Sequence, residues 1–283
     1  MASKRDSNDG LKIGELPELG IVPVSEVIFH EEPNRERVAD LVERLGADGV
    51  LKNPPIVARW DGSGRHLLLD GANRITALRT LDFAHVLVQV IDYQDPALQL
   101  SHWHHAVEHL PTAQLIDHAK GLAGVSVESV TDCPPADPAY LCCLTFPDGS
   151  KVVLRGTSDL VGKVEQLRDF TALYHRKATM DRVSYTNLEH LRRNYRNLTA
   201  LVIFPPFSKE DLVALAQAKI LLPSGVTRVL LPKRALRFNL QLDFLRAKLT
   251  TEEKNLWLRE TIQQKIADKC IRFYREPTFF FDE

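Results

Sequence analysis

Hydrophobic positions in the first third of the chain follow helix spacing and strand spacing in turn. One predicted helix has apolar residues at intervals of three and four: Val38, Leu41, Val42 and Leu45. Gly46 follows this face and is the predicted stop of the helix. The apolar run at residues 67–69 predicts a short buried strand. The order predicted over residues 20–93 is β, α, β, β, α, β, which is compact enough for one small α/β domain.

The remainder of the chain predicts a second α+β unit. Residues 95–110 are expected to be helical and to bridge the two halves. Residues 139–156 read as a hairpin around a Pro-Asp-Gly turn. Ser208 is a plausible N-cap of one helix, and Thr250 with Glu253 fits the capping box of a long final helix.

The predicted fold class is therefore α+β, with one domain over residues 15–98 and a second over residues 99–283. No low-complexity segment or linker separates them.

Composition narrows the functional classes without naming one. The chain has 283 residues, 26% of them charged, and a net charge of −1, which implies neither a basic nucleic-acid surface nor an acidic tail. No apolar run approaches the ~20 residues that span a bilayer, and the polar start lacks the apolar core of a secretion signal. We therefore expect a cytoplasmic protein. The four cysteines contain no Cys-x-x-Cys pair and are expected to be reduced thiols.

The stretch from Asp70 to Arg74 joins the end of a predicted strand to the start of a predicted helix. Such a helix start presents free backbone N–H groups and binds anions, and a phosphate there would explain an arginine in the first turn. Asn73 can add an amide donor, and Asp70 could hold Mg²⁺ or accept a proton. The alternative is that Arg74 pairs with Asp70 or Glu43 and binds no ligand.

Two acids, Glu31 and Glu32, precede Pro33 at the mouth of the first helix. They can be helix-start charges that the helix dipole favours. A carboxylate near the strand end that carries Asp70 could instead take a proton from a hydroxyl that attacks a bound phosphate.

Three stretches together resemble the free L-serine kinase family, within the ParB/sulfiredoxin-like fold. They are His30-Glu31, the Gly-Val-Leu-Lys-Asn-Pro segment at 49–54, and Asp-Gly-Ala-Asn-Arg at 70–74. The family includes the archaeal ADP-dependent serine kinase and the serine kinase of staphyloferrin B synthesis. The resemblance is specific over residues 20–95. It is weaker at 102–105 (His-Trp-His-His) and at 221–240.

The resemblance implies a kinase that phosphorylates free L-serine to O-phospho-L-serine with ATP or ADP and Mg²⁺, in a cleft between the two domains. Glu31 would activate the serine hydroxyl, and Asp70 would be the second acid. The implied nucleotide-binding residues are Lys52, Asn53, Gly71, Ala72, Asn73 and Arg74. The implied substrate-binding residues are Trp103, His104, Thr227 and Arg228. Mg²⁺ would be held mainly by the nucleotide phosphates, with Asp70 as a possible ligand.

Three positions depart from the patterns of related families. Asn73 replaces the histidine that usually precedes the arginine of the turn, and Val229 stands where the C-terminal motif has histidine. The second departure leaves threonine or homoserine open as acceptor. Ala72 occupies the position of the catalytic cysteine of sulfiredoxins, which excludes that chemistry.

Other interpretations remain open. The chain could be a non-enzymatic ParB-like regulator that binds nucleotide and DNA, although its charge does not favour DNA. His105 and His109 are four residues apart and could contribute to a metal or haem site. The arginine-rich run at 190–197 could touch nucleic acid, but such a run is more often a solvated helix face. The oligomeric state cannot be read from the sequence.

Overall fold

The computed structural model describes residues 16–134 and 137–274; the polar N-terminal start and the last nine residues lie outside the described part. The strands are β1 (Leu19–Pro23), β2 (Val27–Ile28), β3 (Val50–Leu51), β4 (Ile56–Arg59), β5 (His66–Asp70), β6 (His85–Asp92), β7 (Gln99–His102), β8 (His104–Glu108), β9 (Ser126–Val130), β10 (Tyr140–Thr145), β11 (Lys151–Arg155), β12 (Thr179–Val183), β13 (Leu198–Ile203), β14 (Thr227–Leu230) and β15 (Leu240–Gln241). The helices are α1 (Arg35–Asp48), α2 (Ala72–Thr80), α3 (Thr112–Gly121), α4 (Leu160–Lys177), α5 (Leu188–Asn194), α6 (Lys209–Ala218), α7 (Leu242–Arg246) and α8 (Thr251–Ala267). The mixed α+β class is confirmed.

Two sheets organise these elements. The first has the strand order β1-β6-β4-β5-β2 and the second has the order β12-β8-β13-β10-β11-β9. Both predicted hairpins are confirmed, since β4 pairs antiparallel with β5 and β10 pairs antiparallel with β11. Each sheet has its own apolar core, with α1 and α2 on the first and α3 and α4 on the second.

The first helix has the predicted face but a different end. Its N-cap is Asn34, whose side chain accepts a hydrogen bond from the Arg37 backbone N–H. The prediction of Gly46 as the stop is wrong, because α1 continues to Asp48. Gly49 ends it instead, at a φ of 63°, the left-handed conformation that glycine adopts without steric cost.

The prediction of a helix over residues 95–110 is also wrong. The segment forms β7 and β8, and β8 lies inside the second sheet between β12 and β13. A strand in this position is covered on both faces, and the side chains from His104 to Val107 are all buried. Such a continuous buried run lacks the alternation that marks a half-exposed strand.

Two short strand pairs join distant parts of the chain. β7 pairs with β14, so that Thr227 lies opposite His102, and β3 pairs with β15. After β15 the chain returns to the first sheet, where Leu242, Leu245 and Leu258 enter the same core as β1 and β6. The predicted capping boxes are confirmed for Thr250 with Glu253 and, with Asp211, for Ser208.

The cysteine prediction is wrong for one pair. Cys133 and Cys143 are joined by a disulfide between the segment after β9 and strand β10. Cys142 is a buried thiol whose pKa is raised by burial, and Cys270 is an exposed thiol. Within the described residues, no helix is long and apolar enough to cross a membrane.

Candidate active site

A cleft of about 1180 Å³ lies where the first sheet, the second sheet and strand β14 meet. All the site residues predicted from sequence line it except His104. The loop before α1 and the turn between β5 and α2 contribute from the first sheet. The β7–β8 junction, β12 and β14 contribute from the other side. The cleft therefore brings together residues from both ends of the chain.

Glu31 is held at this cleft by the segment that leads into β14. Its Oε1 accepts a hydrogen bond from the Gly225 N–H at 2.7 Å. Its Oε2 accepts from the Thr227 N–H at 3.0 Å and from the Thr227 hydroxyl at 2.6 Å. Three donors stabilise the ionised carboxylate and fix its orientation, which is the state that a general base needs before reaction.

His30 lies behind Glu31 and is 3% exposed. Its Nδ1 is 2.6 Å from the Leu68 carbonyl oxygen, and its Nε2 is 2.9 Å from the Thr227 hydroxyl oxygen. Burial lowers the pKa of His30, while the charges of Glu31 and Asp70 act in the opposite direction.

The Gly225 backbone is held from its other side by a buried pair on the second sheet. The His105 Nε2 is 2.9 Å from the Gly225 carbonyl oxygen, and its Nδ1 is 2.8 Å from the Tyr174 hydroxyl oxygen. A carbonyl can only accept, so Nε2 carries the proton and Nδ1 accepts from Tyr174. This network connects the core of the second sheet to the backbone that binds Glu31.

Arg74 pairs within the chain, as the simpler sequence interpretation proposed. Its Nη2 donates to Asp70 Oδ2 at 3.0 Å, and its Nη1 donates to the Asn53 carbonyl at 2.8 Å. Arg234 donates to the same Oδ2 atom from the opposite wall. Burial acts to raise the pKa of Asp70, but Arg74 and Arg234 outweigh it and hold this pKa below its ordinary value.

The turn from β5 into α2 depends on a glycine. Gly71 has a φ of 105°, and a Cβ atom there would lie 2.8 Å from the Pro55 Cβ. It is also the N-cap residue of α2, and no side chain caps that helix start. The first N–H groups of α2 therefore have no side-chain cap and lie at the cleft, as an anion site requires. The side-chain oxygen of Asn73 accepts from the Asn34 N–H at 2.7 Å, which joins this turn to the start of α1.

Trp103 and Arg228 form one wall of the cleft. The Arg228 guanidinium carbon lies 4.4 Å from the centre of the Trp103 ring, and both residues line the cleft. A guanidinium stacked in this way keeps its N–H donors in the ring plane, where a carboxylate can accept two of them.

His104 does not line the cleft. It is buried on β8, and its Nδ1 has no hydrogen-bond partner among the described residues. Burial lowers its pKa to about 4, with the neighbouring His102 adding to the effect. His105 and His109 do not form the predicted helical pair, and the described part of the chain contains no group of three or more residues suited to a metal ion.

Sequence reasoning missed several residues of this cleft. Arg182, on β12, lines the cleft and its stem packs over Gly225. Burial lowers its pKa, and the nearby Glu31 and Asp70 charges raise it. Arg234 belonged to a segment with recognisable similarity, but Arg182 is in no motif. Only the pairing of β12 with β8 brings it to the site.

Comparison with known proteins gives relatives of one kind. No protein-family model matches the chain. The ATP-dependent L-serine kinase of Staphylothermus marinus is 32% identical over 87 residues, which are 31% of this chain and 34% of the relative. The match thus spans about a third of the length of that relative. The ATP-dependent L-serine kinase SbnI of Staphylococcus aureus is 23% identical over 268 residues, 94% of this chain and 97% of the relative.

Solved structures agree with this result. C-terminally truncated SbnI from Staphylococcus aureus has a TM-score of 0.66 at 22% identity, over 89% of this chain and 97% of that one. A free serine kinase in complex with AMP has a TM-score of 0.68 at 15% identity, over 81% of this chain and 94% of that one. The chain resembles the free L-serine kinases in sequence and fold. A complex of a free serine kinase variant with ADP superimposes equally well, with a TM-score of 0.68.

Proposed function

We propose that this protein is a kinase that transfers the terminal phosphoryl group of ATP or ADP to the hydroxyl of free L-serine, giving O-phospho-L-serine. One observation carries the proposal. A single cleft contains a carboxylate fixed by three hydrogen bonds and, on the opposite wall, a helix start without a side-chain cap. A hydroxyl and a polyphosphate can meet between them. The similarity to L-serine kinases over nearly the whole chain supports the same reaction.

The two sides of the cleft would have different tasks. Gly71, Ala72, Asn73 and Arg74, with Lys52 and Asn53, would bind the phosphates of the nucleotide. Trp103, Thr227 and Arg228 would surround serine, with Arg228 as partner of its carboxylate. His104 fits this group less well, because it is buried away from the cleft.

Glu31 would accept the proton of the serine hydroxyl as its oxygen attacks the terminal phosphorus. General-base assistance of this kind needs the carboxylate ionised and fixed in position, and the Gly225 and Thr227 donors favour both. The charge that develops on the phosphoryl oxygens would be balanced by arginines that line the cleft, among them Arg74 and Arg234.

Magnesium would enter with the nucleotide. Mg²⁺ is usually held by substrate phosphates and only one or two carboxylates, and it neutralises charge on phosphate oxygens. Asp70 fits this role because both of its arginine contacts use Oδ2, so that Oδ1 can face a metal ion. The low pKa of Asp70 keeps it ionised at neutral pH.

We further propose that residues 15–98 form a ParB/sulfiredoxin-like nucleotide-binding domain and that the later residues form a substrate-binding domain. The first five-stranded sheet, with α1 and α2, supports this division. Helix α8 is an exception, because it packs on the first core. The DNA-binding regulator is not favoured, since the matched relatives are kinases and the net charge is −1.

The test is a product assay by mass spectrometry. Purified protein is incubated with Mg²⁺ and L-serine, together with ATP or ADP, and a parallel panel contains L-threonine and L-homoserine. We expect phosphoserine from the wild type, and about 10²–10⁴-fold less from Glu31→Gln, the usual contribution of a general base. Glu32→Gln is the matched control and is expected to keep its activity. The absence of any phosphorylated amino acid with either nucleotide would refute the kinase proposal.

A further inference from the structure

Three side chains behind the cleft form a continuous chain of hydrogen-bond contacts. The Thr227 Oγ1 atom is 2.6 Å from Glu31 Oε2 and 2.9 Å from His30 Nε2. The other ring nitrogen of His30, Nδ1, is 2.6 Å from the Leu68 carbonyl oxygen. A carbonyl only accepts, so Nδ1 carries a proton, and the neutral ring has an unprotonated Nε2 that faces Thr227.

This chain lacks one proton when His30 is neutral and Glu31 is ionised. Both Nε2 and Oε2 are then acceptors, and the Thr227 hydroxyl has only one proton to donate. One additional proton satisfies every contact. Either protonated Glu31 donates to Thr227, which donates to His30, or protonated His30 donates to Thr227, which donates to Glu31. The observed distances therefore suit a site that holds the proton taken from a substrate.

We propose that Thr227 and His30 form a proton relay in which His30 is the final acceptor of the proton that Glu31 removes. The proposal rests on the proposed serine kinase function. Thr227 passes the proton on, and His30 acts through Thr227 and Glu31 rather than on the substrate.

The reaction then balances as follows. The serine oxygen forms a bond to the terminal phosphorus, while the bond from that phosphorus to the bridging oxygen breaks. The electron pair of that bond stays on the departing nucleotide. The hydroxyl proton moves to Glu31, Glu31 passes a proton to the Thr227 oxygen, and the Thr227 proton moves to His30 Nε2. Glu31 is ionised again, and the His30 ring is a cation until the proton returns to solvent.

The surroundings of His30 suit a transient cation. Burial lowers its pKa, so the resting ring is neutral and can accept a proton. The charged groups that face it are the carboxylates of Glu31 and Asp70, and both raise this pKa. The Leu68 carbonyl holds the ring in one tautomer. Since His30 precedes α1 and Thr227 begins β14, the relay is complete only when both walls of the cleft are in contact.

Kinetics of paired variants test the relay. Thr227→Val removes the hydroxyl and Thr227→Ser keeps it. His30→Asn keeps an amide donor for Leu68 but has no atom at the Nε2 position. We expect kcat to fall at least about tenfold for Thr227→Val and His30→Asn, and to recover to within about threefold of wild type in Thr227→Ser. The acid limb of the kcat–pH profile should change shape in the first two variants, which a purely structural defect would not cause.

A spectroscopic measurement tests the relay without turnover. In protein with ¹⁵N-labelled histidine, we expect the His30 Nε2 resonance to report a neutral ring with the proton on Nδ1 at pH 8. Its protonation should shift to lower pH in Glu31→Gln, because the Glu31 charge raises the pKa of His30. If His30→Asn does not fold, Thr227→Val and this titration still decide the question.

The possible failures are distinguishable. A wild type that makes no phosphoserine refutes the proposed function, whereas the titration still measures the coupling between His30 and Glu31. Wild-type kcat and an unchanged pH profile in Thr227→Val would overturn the relay, and so would a His30 resonance that does not respond to Glu31→Gln.

Discussion

His105 is the residue that connects the second core to the cleft. It is fully buried, donates to the Gly225 carbonyl and accepts from the Tyr174 hydroxyl. The Gly225 N–H in turn binds Glu31. A histidine that does not reach the cleft thus sets the position of a carboxylate that does.

Replacing His105 by phenylalanine tests this connection. The Gly225 carbonyl and the Tyr174 hydroxyl would each lose a buried partner, and we expect the free energy of unfolding to fall by about 2–5 kcal/mol. Urea denaturation measures it. The control is His109→Asn, an exposed position with a φ of 63° that asparagine tolerates, which should change stability by less than about 0.5 kcal/mol. Equal losses in both variants would contradict the proposed role.

Individual site residues were predictable where chemistry is concentrated in a short stretch. Glu31, Asp70 and Arg74 stand beside helix starts, and all three line the cleft. The partner of Arg74 was open in the sequence, since Asp70, Glu43 and a phosphate were all suitable. Arg182 could not be predicted, because nothing near it in the sequence indicates that β12 ends at the cleft.

The turn between β5 and α2 is the element on which phosphate binding would depend. Gly71→Ala would introduce a methyl group 2.8 Å from Pro55 at a φ of 105°. We expect a loss of about 1–3 kcal/mol in unfolding free energy from the strained backbone. We also expect weaker binding of ADP, measured by isothermal titration calorimetry.

The matched control is Gly46→Ala. Gly46 lies inside α1, and nothing is within 4 Å of the position of an added Cβ. Alanine is the better helix former, so we expect a gain of up to about 1 kcal/mol and unchanged ADP binding. A stable Gly71→Ala variant with wild-type affinity would show that the turn does not need glycine.

Elements whose signals are local were predicted well. The two hairpins have Gly-containing turns, and the caps at Ser208 and Thr250 lie within four residues of their partners. Strand β8 was missed because its signal is not local. Its partners β12 and β13 follow about 70 to 100 residues later, and burial on both faces removes the alternation.

At the scale of the whole molecule, buried histidines make stability sensitive to acid. Burial lowers the pKa of His105 to about 3, with His175 adding to the effect, and lowers the pKa of His175 and of His104 to about 4. In the unfolded chain these groups have a pKa near 6.5. The unfolded chain therefore binds more protons between these values, and stability decreases as the pH falls below about 6.5.

We expect the free energy of unfolding to fall by up to about 1.4 kcal/mol per pH unit for each of these histidines between pH 6.5 and pH 4. Urea denaturation at four pH values measures the slope. His175→Gln should make the slope shallower, whereas the exposed control His109→Asn should leave it unchanged. A flat profile between pH 5 and pH 7 would contradict the prediction.

The last long helix closes the first sheet. The Asn255 side chain accepts from the Ile21 N–H at 2.8 Å and donates to the Ile21 carbonyl at 2.7 Å, at the edge strand β1. We expect Asn255→Ala to lower the free energy of unfolding by about 1–3 kcal/mol, because two backbone groups lose their partners. Gln263→Ala, exposed on the same helix, should have little effect. Chemical denaturation of both variants makes the comparison, and equal stability would contradict it.

The cleft as a whole could be predicted only as a meeting of two halves. The sequence motifs indicated a phosphate turn and a base in the first half. The return of the chain through β14, the Arg234 segment and α8 depends on pairings between residues far apart in sequence, which local patterns do not specify.

The clasp on Glu31 also determines when this protein can become active during its synthesis. The backbone groups that bind Glu31 follow it by 194 and 196 residues. Because N-terminal parts of a chain leave the ribosome first, a nascent chain would expose Glu31 and the phosphate turn long before Gly225 and Thr227 exist. An incomplete chain therefore carries an unclasped base, and competence for the reaction would arrive in one late step of translation.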